Sequence, residues 1–490
     1  MSRPAPLSGF PEWLPEGRIV EQRLIDSLRR TFELNGFAPV ETRAVEPLSE
    51  LLRKGETSKE VYVLRRLQET APAPGQGELE ERTLGLHFDL TVPFARYVTE
   101  NAGHLEFPFK RYQIQKVWRG ERPQQGRFRE FVQADIDVVG AQELPFHYEV
   151  ELPLVILEAL NTLPIGRVEV LANNRKLAEG FYRGLGVGSR ADAGEEAVAA
   201  TFRALDKLAK IGPEATGQLL RDQAGLTRGQ AAACLELAAI TSGDADDLAS
   251  RVTELAERHS IRQPLVDEGL AELGALLTAV AAAHPGQVRA DLSIARGLDY
   301  YTGSVYETVL AGHADLGSIC SGGRYDSLAT AAGRTYPGVG LSVGLTRLVS
   351  LLLGQGLVKA TRATPTCVLV AVVDEGRRAE SVAIAAKLRR RGIPTDVAPE
   401  AAKFGRQIKH ADRRGIPYVW FPGVDGAFDQ VKDIRTGEQS QAVASAWNPP
   451  FEDLWPRVVA PEPPGVADSV DTSIRLPDRV PTVDRAATVE

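Results

Sequence analysis

The sequence predicts an α/β protein in several parts: an antiparallel sheet flanked by helices, a helix-rich segment, and a small α/β domain toward the C-terminus. Three observations predict it. Residues 107–140 form two long arms, the second alternating polar and apolar side chains, as a β-hairpin with one polar face does. Residues 168–284 are rich in Ala and carry helical spacing. Residues 364–447 alternate short apolar runs ("CVLVAVV", "IPTDVA", "PYVWFPG") with helical stretches, the pattern of a sheet covered by helices. A chain of 490 residues exceeds one ordinary core, so several domains are expected.

From Glu16 to Asn35, Ile19, Leu24, Leu28, Phe32 and Leu34 suggest an amphipathic helix, with Gly36 as its stop. "FAPVETRAVEP" then reads as a strand leading to Pro47. In "LGLHFDLTVPFARYV", Asp89 and Thr91 stand at same-face spacing. A carboxylate beside a hydroxyl is a seat for an ammonium group, and equally an ordinary cap before a helix.

In the second arm of the hairpin, Val132, Ala134, Ile136 and Val138 fall on one face. Arg129, Gln133, Asp135 and Asp137, with Phe131 among them, fall on the other. The plain reading is a sheet with one face in water. The loop between the arms, however, concentrates polar groups: Arg119 precedes Glu121, Arg122, Gln124 and Arg127. Gln133 and Asp137 lie about 13 Å apart along the polar face, enough to bracket a small ligand. Trp118 and Tyr112 add aromatic surface, which makes this face a candidate pocket floor.

Strands and Gly-rich turns resume at 286–345. In "ARGLDYYTGSVYE", Arg296 stands at the mouth of a strand, and period two sends Tyr300 and Tyr301 to opposite faces. In "YPGVGLSVGLTRL", Gly338, Gly340 and Gly344 remove side chains from a strand, so that a flat ligand could approach its backbone. Arg347 falls in the first turn of the next helix, where anions are favoured. The plainer alternative is a strand–helix junction with an exposed Arg.

Composition narrows the classes. With 43% hydrophobic and 25% charged residues, the chain is of the soluble globular type. Its start lacks the apolar run of a signal peptide, and "CVLVAVV" is too short to cross a bilayer, so no membrane association and a cytoplasmic location are expected. Cys234, Cys320 and Cys367 are far apart with no CxxC pair, which argues against disulfides or a cysteine zinc site; no metal site is expected. The net charge of −8 argues against wholesale coating of nucleic acid, yet residues 359–450 hold 15 Lys and Arg against 10 Asp and Glu. Residues 451–490, rich in Pro, Val and Asp without period, read as a disordered tail. GxxxxGK[ST], HExxH and GxSxG are absent, and Met1 is the sole methionine, which excludes the lysine loop of a class I synthetase.

Taken in order, "VWRGERPQQGRFREFVQADID", "ARGLDYYTGSVYE" and "VGLSVGLTRL" resemble motif 2, the histidine-specific signature and motif 3 of class II histidyl-tRNA synthetases. "GFAPVETRAVEP" resembles motif 1, with Pro47 at its proline, and "GETSKEVY" and "SGGRYD" also match; the likeness covers roughly residues 8–447. It implies a class II antiparallel sheet in an α+β catalytic core made of residues 1–167 and 285–358. It also implies a helical insertion at 168–284 that leans on the acceptor stem, and an anticodon-binding domain at 359–450. The implied reaction joins L-histidine to ATP, with Mg²⁺ on the outer phosphates, and passes the histidyl group to tRNA(His). A homodimer is implied as well.

By the same resemblance, Arg119 and Arg296 approach the α-phosphate from opposite sides and carry the catalysis. Arg347 takes the γ-phosphate, and Glu121 and Arg127 surround the bent ATP. Asp89, Thr91 and Gln133 hold the α-ammonium group, Asp137 and Tyr301 the imidazole, and Tyr300 and Arg296 complete the histidine site. Arg122 and Gln124 would reach the acceptor stem. Lys403, Arg406, Lys409 (or His410) and Arg413, one cationic stripe in "KFGRQIKHADRRG", would contact tRNA. Four positions depart from the commonest bacterial pattern: Asp89 and Asp137 replace frequent Glu residues, Gly120 a His, and Thr346 a Glu. The alternative is a catalytically silent relative that regulates histidine biosynthesis or senses tRNA; such proteins typically lack the tRNA domain or the phosphate-binding arginines.

Overall fold

A computed structural model describes residues 6–52, 60–67, 83–123, 126–189, 194–295, 300–313, 317–331 and 333–460. They divide into two compact units. One runs from Ile25 to Leu351 and includes the residues before Glu12; the other runs from Leu352 onward and includes Glu12–Leu24.

The first unit is organised by a nine-stranded sheet. Its strands in chain order are β1 (Ala38–Pro39), β2 (Phe109–Trp118), β3 (Glu130–Val139), β4 (Val168–Asn174), β5 (Thr241–Ser242), β6 (Val288–Asp291), β7 (Tyr301–Leu310), β8 (Cys320–Tyr325) and β9 (Gly338–Gly344). Their order in space is β1-β2-β3-β9-β8-β7-β4-β6-β5. Every pair is antiparallel except β1 with β2 and β4 with β6. The expected hairpin is β2 and β3, in register from Phe109 opposite Val139 to Trp118 opposite Glu130.

On β3, Ala134, Ile136 and Val138 are fully buried on the face covered by the helix His147–Asn161. The polar face is not in water as the plain reading held. Gln133, Asp135 and Asp137 are 8%, 2% and 2% exposed, so this face is an interior of its own. The helix Pro15–Leu34 buries Val20, Leu24, Leu28 and Phe32. Leu34, expected on that stripe, is exposed, because the helix ends there with Gly36 in the left-handed region at φ 78°.

The helix-rich segment starts inside the sheet. Val168–Asn174, expected to open the insertion, pairs with β7 over its full length, from Val168 opposite Leu310 to Asn174 opposite Ser304. The helices Arg175–Gly184 and Pro264–Ala283 pack on each other and on β7. Gly269 permits that approach, since a Cβ there would run into the backbone of Leu177. The run "VEVLANN" is buried on both faces, so it lacks the alternation that marks a half-exposed strand.

The second unit holds a five-stranded sheet in the order Thr395–Val397, Val368–Val370, Tyr418–Phe421, Gln430–Asp433, Gln439–Gln441; the first three are parallel and the rest antiparallel. Val368, Val370, Tyr418 and Trp420 pack with Ile384, Ala385 and Leu388 of the helix Arg378–Arg390. Leu369, Val419 and Phe421 pack on the other face with Ala411 and Ile408 of the helix Phe404–Arg413. Burial on both faces explains the unbroken apolar runs.

The tail expected at 451–490 is corrected in its first ten residues. Phe451–Leu454 is a helical turn, and Val458–Val459 pairs with Lys359–Ala360. Asp453 holds this segment: Tyr418 Oη donates to it at 2.6 Å and Arg435 Nη1 at 2.7 Å, while Arg362 Nη1 donates to its carbonyl at 2.8 Å. A short acidic turn between prolines carries no period, so the sequence signal was absent. Residues 461–490 lie outside the described residues. Burial alone would raise the Asp453 carboxyl, but the hydrogen bonds from Arg435 and Tyr418 outweigh it and hold it below its ordinary value. Its contribution to stability is therefore complete above about pH 4 and fades as pH falls through the lowered folded value. Asp453→Ala is expected to destabilise this unit by about 1–3 kcal/mol, because Tyr418 loses its acceptor in a buried place; thermal unfolding at pH 7 checks it, and the difference from wild type should shrink in acid.

Candidate functional site

Strand register assembles a polar floor on the first unit. Arg111, Asp137, Gly340 and Gly323 of β2, β3, β9 and β8 stand in one row; Gln113, Asp135, Ser342 and Ser321 stand in the next; Gln115, Gln133 and Gly344 begin a third. Arg111 is fully buried. Its Nη2 lies 2.7 Å from Asp137 Oδ2, and its guanidinium covers the Phe94 ring at 4.1 Å. Tyr325 Oη donates to Asp137 Oδ1 at 2.7 Å. Burial and the neighbouring Asp137 push the Tyr325 phenol well above its ordinary value, so it stays protonated and donates.

Above this floor lies a first pocket of about 520 Å³, counted with its open mouth. Asp89, Thr91, Gln133, Asp135, Asp137, Tyr300 and Tyr301 line it, together with Arg119, Tyr325 and Ser342. Asp89 Oδ1 accepts from Val92 N at 3.1 Å, in the first turn of the helix Thr91–Asn101, and the residue also lines the pocket. A second pocket of about 1000 Å³ adjoins, lined by Arg119, Glu121, Arg127, Arg347, Phe128 and Phe131 among others. The two share Arg119, Gln133, Ser321 and Ser342.

Cations gather in the second pocket. Arg119 donates from Nε to Phe88 O at 3.0 Å and lies over Phe131 at 5.1 Å. Arg347, in the first turn of the helix Leu345–Gly354, donates from Nη1 to Ser318 O at 3.0 Å. Burial lowers its proton affinity, and the nearby Arg127 lowers it further. Two guanidinium groups that repel each other across a polar pocket mark a seat for an anion. Glu121 lies 3.6 Å from Arg127 and relieves part of that charge.

Several expectations are revised. Tyr300 and Tyr301 both line the first pocket, with ring centroids 4.5 Å apart. Period two fails there because Tyr300 precedes the strand and the β7 register shifts after Tyr301. The space left by Gly338 and Gly340 is filled by protein: a Cβ at Gly338 would meet the Tyr325 ring, and one at Gly340 the Asp137 carboxylate. Gly340 still lines the first pocket with its backbone and Gly344 lines the second, while Gly338 lines neither. Trp118 and Tyr112 line neither pocket. Trp118 donates to Glu130 at 2.8 Å and stacks on His87, and Tyr112 donates to Glu33 at 2.7 Å from the other face. Arg122 is exposed, and Arg296 and Gln124 lie outside the described residues. Lys403, Arg406, Lys409 and Arg413 are all exposed, at the start of and along the helix Phe404–Arg413, opposite its buried Gln407 and Ala411. Arg111, Asp135, Ser342 and Tyr325 had no assigned role. The alternation of Arg111, Gln113 and Gln115 along β2 was the available signal.

An acid-lined pocket joined through an arginine to an arginine-lined one suits an amino acid beside a polyphosphate. The family model described as histidyl-tRNA synthetase matches residues 9–348, and that of an anticodon binding domain matches 367–444. The chain belongs to the histidyl-tRNA synthetase family. It is 57% identical over 462 residues to the histidine–tRNA ligase of Bifidobacterium animalis subsp. lactis, covering 92% of this chain and 97% of that one. It is 56% identical to that of Micrococcus luteus, covering 94% and 99%. Among solved structures, the histidyl-tRNA synthetase of Nostoc sp. matches with a TM-score of 0.77 at 35% identity, covering 91% of this chain and 97% of that one. Among the described residues, no helix is long and apolar enough to cross a membrane.

The Arg111–Asp137 pair is the part of this family site that stability measurements can reach directly. Arg111→Leu leaves Asp137 buried without its cation and is expected to cost about 3–5 kcal/mol, read as a lower denaturant midpoint for the first unit.

Proposed function

We propose that the chain is a histidine–tRNA ligase that activates L-histidine with ATP across the two joined pockets and then charges tRNA(His). The join carries the reading. A carboxylate oxygen of histidine attacks the α-phosphorus, the bond to pyrophosphate breaks, and a mixed anhydride forms. A ribose hydroxyl at the 3′ end of the tRNA then attacks the carbonyl carbon, and AMP leaves. Negative charge grows on the phosphoryl oxygens in the first step, so fixed cations supply most of the stabilisation.

Arg119, on the shared wall, is assigned to the α-phosphate; Arg347 and Arg127 take the outer phosphates, with Glu121 beside them. Mg²⁺ enters bound to ATP. Glu121 is the one carboxylate among the described lining residues of the second pocket, so arginine rather than protein-held metal dominates there. Arg296 keeps the α-phosphate role that family resemblance implies, and Arg122 with Gln124 the acceptor stem. Asp89 and Thr91 seat the α-ammonium group with Gln133, while Tyr300, Tyr301 and the floor carboxylates enclose the imidazole. Lys403, Arg406, Lys409 and Arg413 offer phosphate contacts to tRNA. A silent relative would have lost these arginines or the C-terminal unit, and this chain keeps both. The homodimer and the cytoplasmic location belong to the same proposal.

The test is histidine-dependent exchange of pyrophosphate into ATP. Arg119→Ala and Arg347→Ala should each lower it by about 10²–10³-fold; a folded wild-type protein without exchange would reject the reading. Replacing Lys403, Arg406, Lys409 and Arg413 by Ala should raise KM for tRNA and flatten its salt dependence while exchange is unchanged. Sedimentation should give twice the 53.1 kDa chain mass, and a single-chain mass refutes the dimer.

A further inference from the structure

We propose that the N-terminal segment Leu7–Phe10 holds Glu121 and Arg127 in place for ATP, with Gly9 as the positioning residue; the inference rests on the ligase reading. The ladder between β2 and β3 ends at Trp118 opposite Glu130, and Arg119 N adds one more bond, to Arg129 O at 2.8 Å. Beyond it, each stem of the connection is anchored to a different part of the chain. On the first stem, Gly120 N donates to Glu60 O at 2.7 Å. On the second, Gly9 O accepts from both Arg129 N at 2.7 Å and Glu130 N at 3.1 Å. The two anchors brace each other, because the Phe10 ring packs edge-on against Tyr62 with centroids 6.5 Å apart.

Two features of Gly9 demand a glycine. It stands at φ 85°, in the left-handed region, within a turn closed by Phe10 N on Leu7 O at 3.2 Å. It also has no room for a side chain: a Cβ would come within 2.9 Å of Arg129 Cγ and 3.0 Å of Pro123 Cγ, one on each stem. Arg129 Nε in turn donates to Glu121 O at 3.2 Å, so the residue that hangs from Gly9 also ties the first stem.

The stems need such an anchor because their charge opposes their position. Gly126 lies against the Arg347 side chain, where a Cβ would meet Nε at 3.3 Å and Cγ at 3.4 Å. Arg127 faces Arg347 as a like charge, its side chain is 57% exposed, and Glu121 offsets it only across 3.6 Å. Repulsion between the two guanidinium groups pushes Arg127 out of the second pocket. The backbone anchor at Arg129, two residues further on, opposes that push. Arg119 has an anchor of its own, on Phe88 O at 3.0 Å, and Asp89 and Thr91 stand on another element. The N-terminal segment therefore bears on ATP and leaves histidine alone.

The experiment is histidine-dependent pyrophosphate exchange with ATP and histidine varied separately, for full-length wild type, Gly9→Ala and Phe10→Ala. Gly9→Ala should raise KM for ATP about 5- to 20-fold, since a Cβ at this φ and in this space forces the segment off Arg129. KM for histidine should stay within twofold. Phe10→Ala removes the brace but keeps the Gly9 carbonyl, and should raise KM for ATP about threefold. Hydrogen–deuterium exchange of the peptide spanning residues 119–131 should quicken in both variants. A KM for ATP within twofold of wild type in Gly9→Ala, or unchanged exchange of that peptide, overturns the proposal. So does an equal rise in both KM values, or a fall in kcat alone, which is what loss of folded enzyme gives. Should Gly9→Ala fail to fold, Phe10→Ala decides by the same criteria. If wild type exchanges normally in any of these cases, the ligase reading stands and this inference alone fails; a folded wild type without exchange removes both.

Discussion

The buried contact between Arg111 and Asp137 constrains everything built on the polar floor. Both side chains are out of water, and removing two charges from water is expensive unless each finds its partner. Sliding β2 by one residue against β3 would carry Arg111 to the opposite face, beside Ile136 and Val138, and strand both charges. The pair therefore fixes the hairpin register. That register sets Gln113 across from Asp135 and Gln115 across from Gln133, beside the β9 row in which Asp135 faces Ser342 and Gln133 faces Gly344. Net stability is a poor explanation for such a pair; specificity of pairing is a better one.

That register also explains the difference between the two pockets. Carboxylates of β3 rise on one side of Arg119, and arginines from the hairpin loop and the helix after β9 gather on the other. In the proposed reaction, a zwitterionic amino acid in this field would turn its ammonium group toward Asp89 and its carboxylate toward Arg119. The nucleophilic oxygen would then be held at the join, where a phosphate seated among Arg127 and Arg347 would present its inner end. Orientation of this kind removes entropy from the bimolecular step before any bond changes.

Much of the site could be read from residue order, and the failures share a cause. Asp89, Thr91, Gln133 and Arg347 were legible because each sits in a locally patterned element, and the alternation along β3 already put Asp135 on the right face. Local pattern could not show that Asp137 contacts Arg111 and Tyr325, since these partners lie 26 residues before it and 188 after it in the chain. Val168–Asn174 was hidden because a strand buried on both faces does not alternate. Tyr300 was misplaced because the two-residue period belongs to strands, and Tyr300 is not yet in one. The glycines of β9 were read as open space, but whether such space is empty depends on the neighbouring strand. Long-range pairing decides these points, and a single sequence does not record it.

The departure at Thr346 follows from the same pairing. The ladder between β3 and β9 ends at Gln133 and Gly344, so the next amide, Val132 N, has no partner on β9. Thr346 Oγ1 accepts from it at 2.8 Å and is itself 2% exposed. The first turn of the Leu345–Gly354 helix is thus tied to β3, and Arg347 is held one residue from that tie. A carboxylate at this position would have to lose its water to make the same bond, and it would set a negative charge beside the arginine that faces the anion seat. The hydroxyl meets the structural need without that opposing charge, so the loss of an acid here leaves the cationic pocket more purely cationic.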